Sequence, residues 1–139
     1  MMQTALSPTL VHRIEDEIHH VTVLQADRPA VDEFIVLIES LIMDGLRTAP
    51  EAPILMLVDV SKSGLPSIRY AYERGLEAGA RMETAPPLYL AFIVRDRLMT
   101  SMINNLVKVV SAPGNQPLVR FFRDYEPEKA AAWLGQKRA

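Results

Sequence analysis

The sequence predicts a single-domain α/β protein in which helices flank a mostly parallel five-stranded sheet. Two short apolar segments, 54–58 and 88–94, are bounded by turn-forming residues, as expected of strands buried on both faces. Helical patterns separate the segments, so the connections are long enough to join parallel strands. The predicted order is ββαβαβαβα, in a domain covering residues 9–137 that follows a flexible N-terminal segment, 1–8.

The chain begins with a predicted β-hairpin. Residues 9–14 alternate in polarity, residues 18–25 are rich in β-branched side chains, and Asp16 and Glu17 form the turn between them. A turn this short joins antiparallel neighbours. The first strand is therefore expected to be the antiparallel member of the sheet.

The first helix is expected from Asp27, a suitable N-cap, to about Met43, with its end near Gly45. Its apolar surface is wider than one core-facing stripe requires. That surface comprises Val31, Phe34, Ile35, Leu37, Ile38, Leu41 and Ile42. Either the helix is pressed deeply onto the sheet, or part of it faces a second copy of the chain, and the second interpretation predicts a homodimer.

The remaining helices and strands are predicted from the spacing of apolar residues and from the positions of glycine and proline. In the second helix, Gly75 and Gly79 lie one turn apart and allow the backbone to approach a neighbouring element closely. The last strand, 118–122, is more polar than the others, which predicts a position at an edge of the sheet. The other predictions are a second helix after Pro66, a third helix after Asp96, a loop at 113–117 and a last helix from Pro127.

Composition excludes several classes of function. The chain has 139 residues and a formal charge of −2, which offers no basic surface for nucleic acid. It has no cysteine, so disulfides, thiolate catalysis and cysteine-bound metals are excluded. No apolar run is long enough to span a bilayer, and the first residues lack the features of a signal peptide. We expect a cytoplasmic protein that is not an integral membrane protein and needs no cofactor.

Three stretches resemble the STAS and stage II sporulation AA-like superfamily, which includes the anti-sigma-factor antagonists. They are the strand end LVDVS at 57–61, the segment 90–94 with Asp96 and an amphipathic helix, and 119–124 with 128–134. The last of these resembles the lipid-binding-like STAS/SEC14 branch more closely than the antagonists. The resemblance spans nearly the whole chain and implies a STAS fold in a non-catalytic binding or regulatory module. Its implied mechanism is docking of the loop 59–67 and the following helix against an unknown protein partner.

In the antagonists, a serine at the start of the helix after this strand is phosphorylated by a partner kinase. The nearest match is Ser63-Gly64, with Ser61 upstream and Ser67 downstream, which makes Asp59, Ser61, Ser63, Gly64 and Ser67 the candidate docking or phospho-acceptor loop. The loop is shorter than the antagonist pattern, and Lys62 stands where that pattern has an acid or a serine. A helix cap or a turn hydrogen bond explains a serine here equally simply.

An excess of apolar residues supports an alternative function, the binding of a small apolar or lipid-like ligand. Five side chains on the first and third helices form the candidate groove: Phe34, Ile38, Met99, Met102 and Leu106. Ordinary core packing is the favoured interpretation of such stripes. If the third helix swings away from the sheet, a ligand can enter between helix and sheet.

No catalytic or metal site is predicted. His19 and His20 are adjacent on a strand and point to opposite faces, so they cannot chelate one ion, although His12 can approach one of them across the hairpin. No P-loop, nucleophile elbow or zinc-protease motif is present. A lone aspartate such as Asp59 at a strand end usually accepts hydrogen bonds from its own loop.

Overall fold

A computed structural model of the chain describes residues 4–6, 9–81, 84–110 and 117–138. The described residues form one six-stranded sheet and four helices. The strands are β1 (Thr4–Leu6), β2 (Leu10–Glu15), β3 (Ile18–Val23), β4 (Ile54–Asp59), β5 (Leu88–Val94) and β6 (Leu118–Arg123). The helices are α1 (Arg28–Thr48), α2 (Ile68–Arg81), α3 (Arg97–Val110) and α4 (Pro127–Gly135).

The strands lie in the sheet in the same order as in the chain. The pairs β1–β2 and β2–β3 are antiparallel, and β3–β4, β4–β5 and β5–β6 are parallel. The predicted α/β class and mostly parallel sheet are confirmed. The last strand lies at an edge, as its polarity predicted.

The sheet has one more strand than the five predicted. Thr4–Leu6 pairs with β2, with Thr4 opposite Arg13 and Leu6 opposite Val11, although this stretch fell in the segment expected to be flexible. An edge strand leaves a row of backbone donors and acceptors unpaired, and a short segment of almost any composition can bond to them. Residues 1–3 and 7–8 of that segment lie outside the described residues, as do residues 113–116 of the predicted loop.

The hairpin between β2 and β3 has a two-residue turn. Glu15 pairs with Ile18, and both Asp16 and Glu17 have positive φ, at 53° and 67°. This combination is typical of the type I′ turn, whose twist matches that of the strands. The hairpin prediction is confirmed.

The first helix extends further than predicted, to Thr48 rather than to about Met43. Asp27 caps its N-terminus by accepting a hydrogen bond from the Ala30 N–H at 3.1 Å. Gly45 does not end the helix. A Cβ at Gly45 would lie 3.1 Å from Pro86, so the glycine allows the chain before β5 to pass close to α1.

Alternation along the central strands divides the core in two. Met56, Val58, Leu90 and Phe92 face one side of the sheet together with residues of α1 and α3. The neighbouring residues Leu55, Leu57, Ala91 and Ile93 face the other side, where Ala130, Trp133 and Leu134 of α4 cover them. Both strands are buried on both faces, as their unbroken apolar runs predicted.

The order of the strands explains why three helices share one face. Each crossover advances by one strand in the same direction, and right-handed crossovers then place α1, α2 and α3 on the same side. Neighbouring strands lie about 4.8 Å apart, whereas packed helices lie about 8–10 Å apart. Three helices therefore do not fit directly above their own strands. Helix α1 spreads out to contact β2, α3 contacts β5, and α2 packs mainly against α1 and α3.

Candidate functional site

An apolar cavity of about 270 Å³ lies between α2 and the sheet. Its lining comes from both outer helices, from α2, and from the central strands. The floor includes Val58, Leu90 and Phe92, the walls include Val31, Phe34, Ile38, Ile103, Leu106 and Val107, and the roof includes Ala71, Gly75, Ala78 and Gly79. The cavity thus extends beneath most of the length of α2.

Small residues on the inner side of α2 leave this space open. Apart from Ile68 in the first turn, the α2 residues that line the cavity carry at most a methyl group; they are Ala71, Gly75, Ala78 and Gly79. Elsewhere in the core, larger side chains from facing elements fill the gap, because protein interiors pack to crystal-like density. The small residues of α2 and its height above the sheet together leave the cavity open.

Polar contacts hold α2 to α1 along its outer edge. The Asp32 carboxylate accepts hydrogen bonds from the Tyr70 hydroxyl at 2.6 Å and from Arg74 Nε at 2.8 Å. Arg81 Nη2 and Nε donate to the two carboxylate oxygens of Glu39 at 2.7 and 3.2 Å. The acids are seven residues apart on α1 and the arginines seven apart on α2, so the two helices run in the same direction. We refer to these two contacts as the clasp.

The hydrogen bonds of the clasp shift the pKa values of Asp32 and Tyr70. The hydrogen bond from Tyr70, followed by that from Arg74, lowers the pKa of Asp32 below its ordinary value. The same bond to Asp32 raises the pKa of Tyr70. Both directions favour the protonation states in which the bonds exist, a tyrosine hydroxyl and an aspartate carboxylate, so the clasp persists across neutral pH.

On its opposite edge, α2 packs closely against α3 at two glycines. A Cβ at Gly75 would lie 2.8 Å from Val110 Cγ1, and one at Gly79 would lie 2.7 Å from the Val110 carbonyl oxygen. Real Cβ atoms essentially never come so close to other atoms, so both positions exclude side chains. The close approach predicted from the spacing of these glycines is confirmed.

The structure separates the five predicted groove residues. Phe34, Ile38 and Leu106 line the cavity. Met99 is buried in the core instead, and Met102 is half-buried on α3 and is not among the lining residues. The helix that stands away from the sheet is α2, whereas the sequence interpretation considered entry of a ligand through movement of the third helix.

Sequence reasoning missed the roof of the cavity. The signal was present in Ala71, Gly75, Ala78 and Gly79, which recur at helical spacing on the side of α2 that would ordinarily carry large apolar residues. The floor residues were recognised as strand core, but nothing in a single strand shows whether a helix presses on it.

The loop between β4 and α2 borders one end of the cavity. Asp59 Oδ1 accepts hydrogen bonds from the Ser61 N–H at 2.9 Å and from the Ser61 hydroxyl at 2.6 Å, and Ser61 is buried. Gly64 has a φ of +81°, which glycine adopts without strain. Residues 63–66 contribute to the cavity lining. The loop is thus shaped by its own hydrogen bonds, as expected for Asp59.

The other two candidate serines differ in exposure. Ser63 is half-buried, and its hydroxyl lies 3.0 Å from the Gly64 carbonyl oxygen and 3.4 Å from that of Val60. Ser67 is exposed and accepts a hydrogen bond from the Tyr70 N–H at 3.4 Å, as a helix-capping serine does. Ser61 is therefore the least accessible of the three serines, and Ser67 is the most accessible.

The hairpin histidines form a pair rather than a metal site. His12 Nε2 lies 3.0 Å from His19 Nδ1, and the rings stack with their centroids 5.3 Å apart, whereas His20 points to the other face. Burial, with a smaller effect of His12 and His20, lowers the pKa of His19 to about 4. Within the described residues, no three potential ligands among histidine and the acids come together to hold a metal ion.

Comparisons with protein-family models, with curated proteins and with solved structures give no significant match to the chain. In the part of the chain that the structure describes, no helix has both the length and the apolar character needed to cross a bilayer.

Proposed function

We propose that the protein is a non-catalytic binding module that holds a small apolar, lipid-like ligand between α2 and the sheet. The observation that carries this proposal is the cavity itself, which is lined almost entirely by aliphatic and aromatic side chains. Ligand pockets in proteins are predominantly apolar and begin at about 300 Å³, and an engineered apolar cavity of about 150 Å³ binds benzene. A cavity of about 270 Å³ therefore suits a ligand larger than a single ring.

The way α2 is held favours exchange of a ligand. The helix is attached by the clasp on one side and by close backbone contacts with α3 on the other, and it makes few contacts with the sheet. The polar part of the attachment to α1 consists of the two clasp contacts, whose side chains are partly exposed. In this proposal α2, rather than α3, is the element that moves.

The test is to fill the cavity from its roof and to compare the result with an equal change outside it. Ala78→Phe adds a ring beneath α2, whereas Ala80→Phe adds the same ring on the exposed side of the same helix. Binding of a fluorescent apolar probe is expected to fall by at least about tenfold in the first variant, because the ring occupies the site, and to be unchanged in the second. Equal affinity in both variants would refute the proposal.

A second function, docking of the loop 59–67 onto another protein, is favoured by the position of the loop. Residues 63–66 border the cavity while Lys62 and Ser67 are exposed, so the loop faces ligand on one side and solvent on the other. The resemblance to STAS proteins supports this function, and we propose a STAS-like fold on the motifs that carry the resemblance. A partner captured by the wild type and lost on Ser63→Asp is the expected result, while capture unaffected by the charge would count against docking.

We also propose a homodimer in the cytoplasm. Val36 and Met43 lie two turns apart on α1 and are 59% and 63% exposed, a pair of large apolar side chains on the outer surface of the helix. Most of the wide apolar surface predicted for α1 packs on the core or lines the cavity, so these two exposed residues, which lie outside it, are what supports a second copy against α1. Light scattering at tens of micromolar is expected to give twice the mass of the chain, and a monomer at that concentration would exclude the dimer.

A further inference from the structure

One end of the cavity lies at the carboxyl ends of the parallel strands. Ser63 and Gly64 line this end, and Arg95 follows β5 directly beside them. Arg95 Nη2 lies 3.6 Å from the position that a Cβ would occupy on Gly64. Because Gly64 has no side chain, the guanidinium rests against the backbone at the rim of the cavity. Arg95 is therefore a cation close to the rim of the apolar space.

Three of the acids at this edge accept hydrogen bonds from other groups. Asp59 accepts from Ser61, Asp96 accepts from the Met99 N–H at 3.0 Å, and Glu126 accepts from the Arg123 N–H and from Lys129. Among the residues described, the guanidinium of Arg95 forms no ion pair. Within that part of the chain, no carboxylate engages its N–H groups.

The backbone of Arg95 is fixed although its side chain is exposed. Arg123 Nη1 donates to the Arg95 carbonyl oxygen at 2.7 Å, which ties the end of β5 to the end of β6. The opposite stretch of the lining contains Glu39, whose carboxylate is paired with Arg81. An anionic group is thus favoured at the Arg95 end and gains nothing at the Glu39 end.

We propose that the ligand is a single-tailed amphiphile whose anionic head group, a carboxylate or a phosphate, binds Arg95 while its tail lies beneath α2. This inference rests on the proposed ligand-binding function and specifies its ligand class. The planar guanidinium presents N–H groups in a fork that matches the oxygens of a carboxylate or phosphate. The Ser63 hydroxyl at the same rim is a further polar group within the lining.

The test compares dodecanoic acid, its methyl ester and dodecyl phosphate as competitors of a fluorescent apolar probe, below their aggregation concentrations and at one ionic strength. The proteins are the wild type, Arg95→Gln, and Arg97→Gln as the matched control. Arg97 is exposed two residues further on, at the start of α3. Neither arginine is among the lining residues, but Arg95 is the one whose guanidinium lies against Gly64. In both variants the substituted arginine is exposed and lies outside the core.

The wild type is expected to bind an anionic competitor about tenfold more tightly than the ester, because a charge-assisted hydrogen bond is lost with the ester. Arg95→Gln removes this preference and retains binding of the ester, whereas Arg97→Gln retains the preference. The tighter of the two anions identifies the head group. Equal binding of acid and ester by the wild type, or an equal loss in both variants, would overturn the head-group assignment while leaving the cavity function intact. Failure of all three competitors and of the probe itself would overturn both.

Discussion

The two faces of the sheet are built by different means. On one face, the single helix α4 lies directly on the strands, and Trp133, Phe122 and Leu134 fill the space between them. On the other face, three helices share the same width of sheet, and the middle one stands off above a cavity. A single helix can pack directly on four strands. Three helices cannot all do so, because packed helices lie further apart than neighbouring strands. The cavity lies on the face that three helices share.

The largest expected effect separates the filled face from the open one. Trp133→Ala removes a buried side chain that contacts Tyr89 and Phe122, and it is expected to lower the free energy of unfolding by about 3–5 kcal/mol. Phe34→Ala on the cavity wall removes a half-buried ring beside empty space and is expected to cost about 1–2 kcal/mol. Urea unfolding of both variants measures the difference. Equal losses would mean that the cavity face is packed as well as the other.

The next largest effect on stability is expected at the close contact between α2 and α3, which we call the seam. Gly79→Ala is expected to destabilise the protein by about 1–3 kcal/mol, although alanine is the better helix former by about 1 kcal/mol. The reason is that its Cβ would meet the Val110 carbonyl oxygen at 2.7 Å, and a backbone atom cannot move aside without moving the helix.

Gly75→Ala provides the internal comparison for this seam. Its Cβ would meet the side chain of Val110 rather than the backbone, so a smaller loss is expected. Thermal unfolding of both variants gives the order, and a Gly79→Ala protein more stable than the wild type would contradict the close contact.

The sequence predicts the closely packed parts of the molecule better than it predicts the cavity beneath α2. The unbroken apolar runs at 54–58 and 88–94 were sufficient to predict strands buried on both faces, and the glycine spacing was sufficient to predict a close helix contact. The height of α2 above the sheet depends on the strand order and on how three helices share one face, and both are long-range properties. For the same reason, Met99 could not be assigned to core or groove from its own helix.

A pH-dependent effect distinguishes two adjacent residues on opposite faces of β3. The ordinary pKa of histidine is 6.5, and that of His19 is lowered to about 4, so between these values the unfolded chain binds a proton that the folded chain does not. Stability is therefore unaffected above about pH 6.5 and falls as the pH is lowered towards 4. After allowance for solvent exposure, we expect a loss on the order of 1–2 kcal/mol.

Two variants test the origin of this loss. His19→Gln is expected to reduce the acid sensitivity of the unfolding midpoint more than His20→Gln, because His19 is stacked against a second imidazole on its face of the sheet. For His20, burial and then the charge of Arg13 lower the pKa, with partial compensation by Glu15 and Asp16. A larger change from His20→Gln would assign the sensitivity to the α4 face instead.

The smallest expected effect on stability is the most informative about the open face. Asp32→Asn weakens the clasp, since the amide keeps one acceptor for Tyr70 and Arg74 but loses the charge. The contact is at the surface, so the melting temperature is expected to change by about 2 °C or less. Release of a bound apolar probe, measured by stopped-flow displacement, is expected to be roughly twofold to fivefold faster if opening of α2 limits exit.

Glu126→Gln at the start of α4, which weakens a comparable exposed ion pair with Lys129 on the filled face, is expected to leave release unchanged. Equal release rates in all three proteins would show that the ligand leaves by a route that does not require α2 to separate from α1.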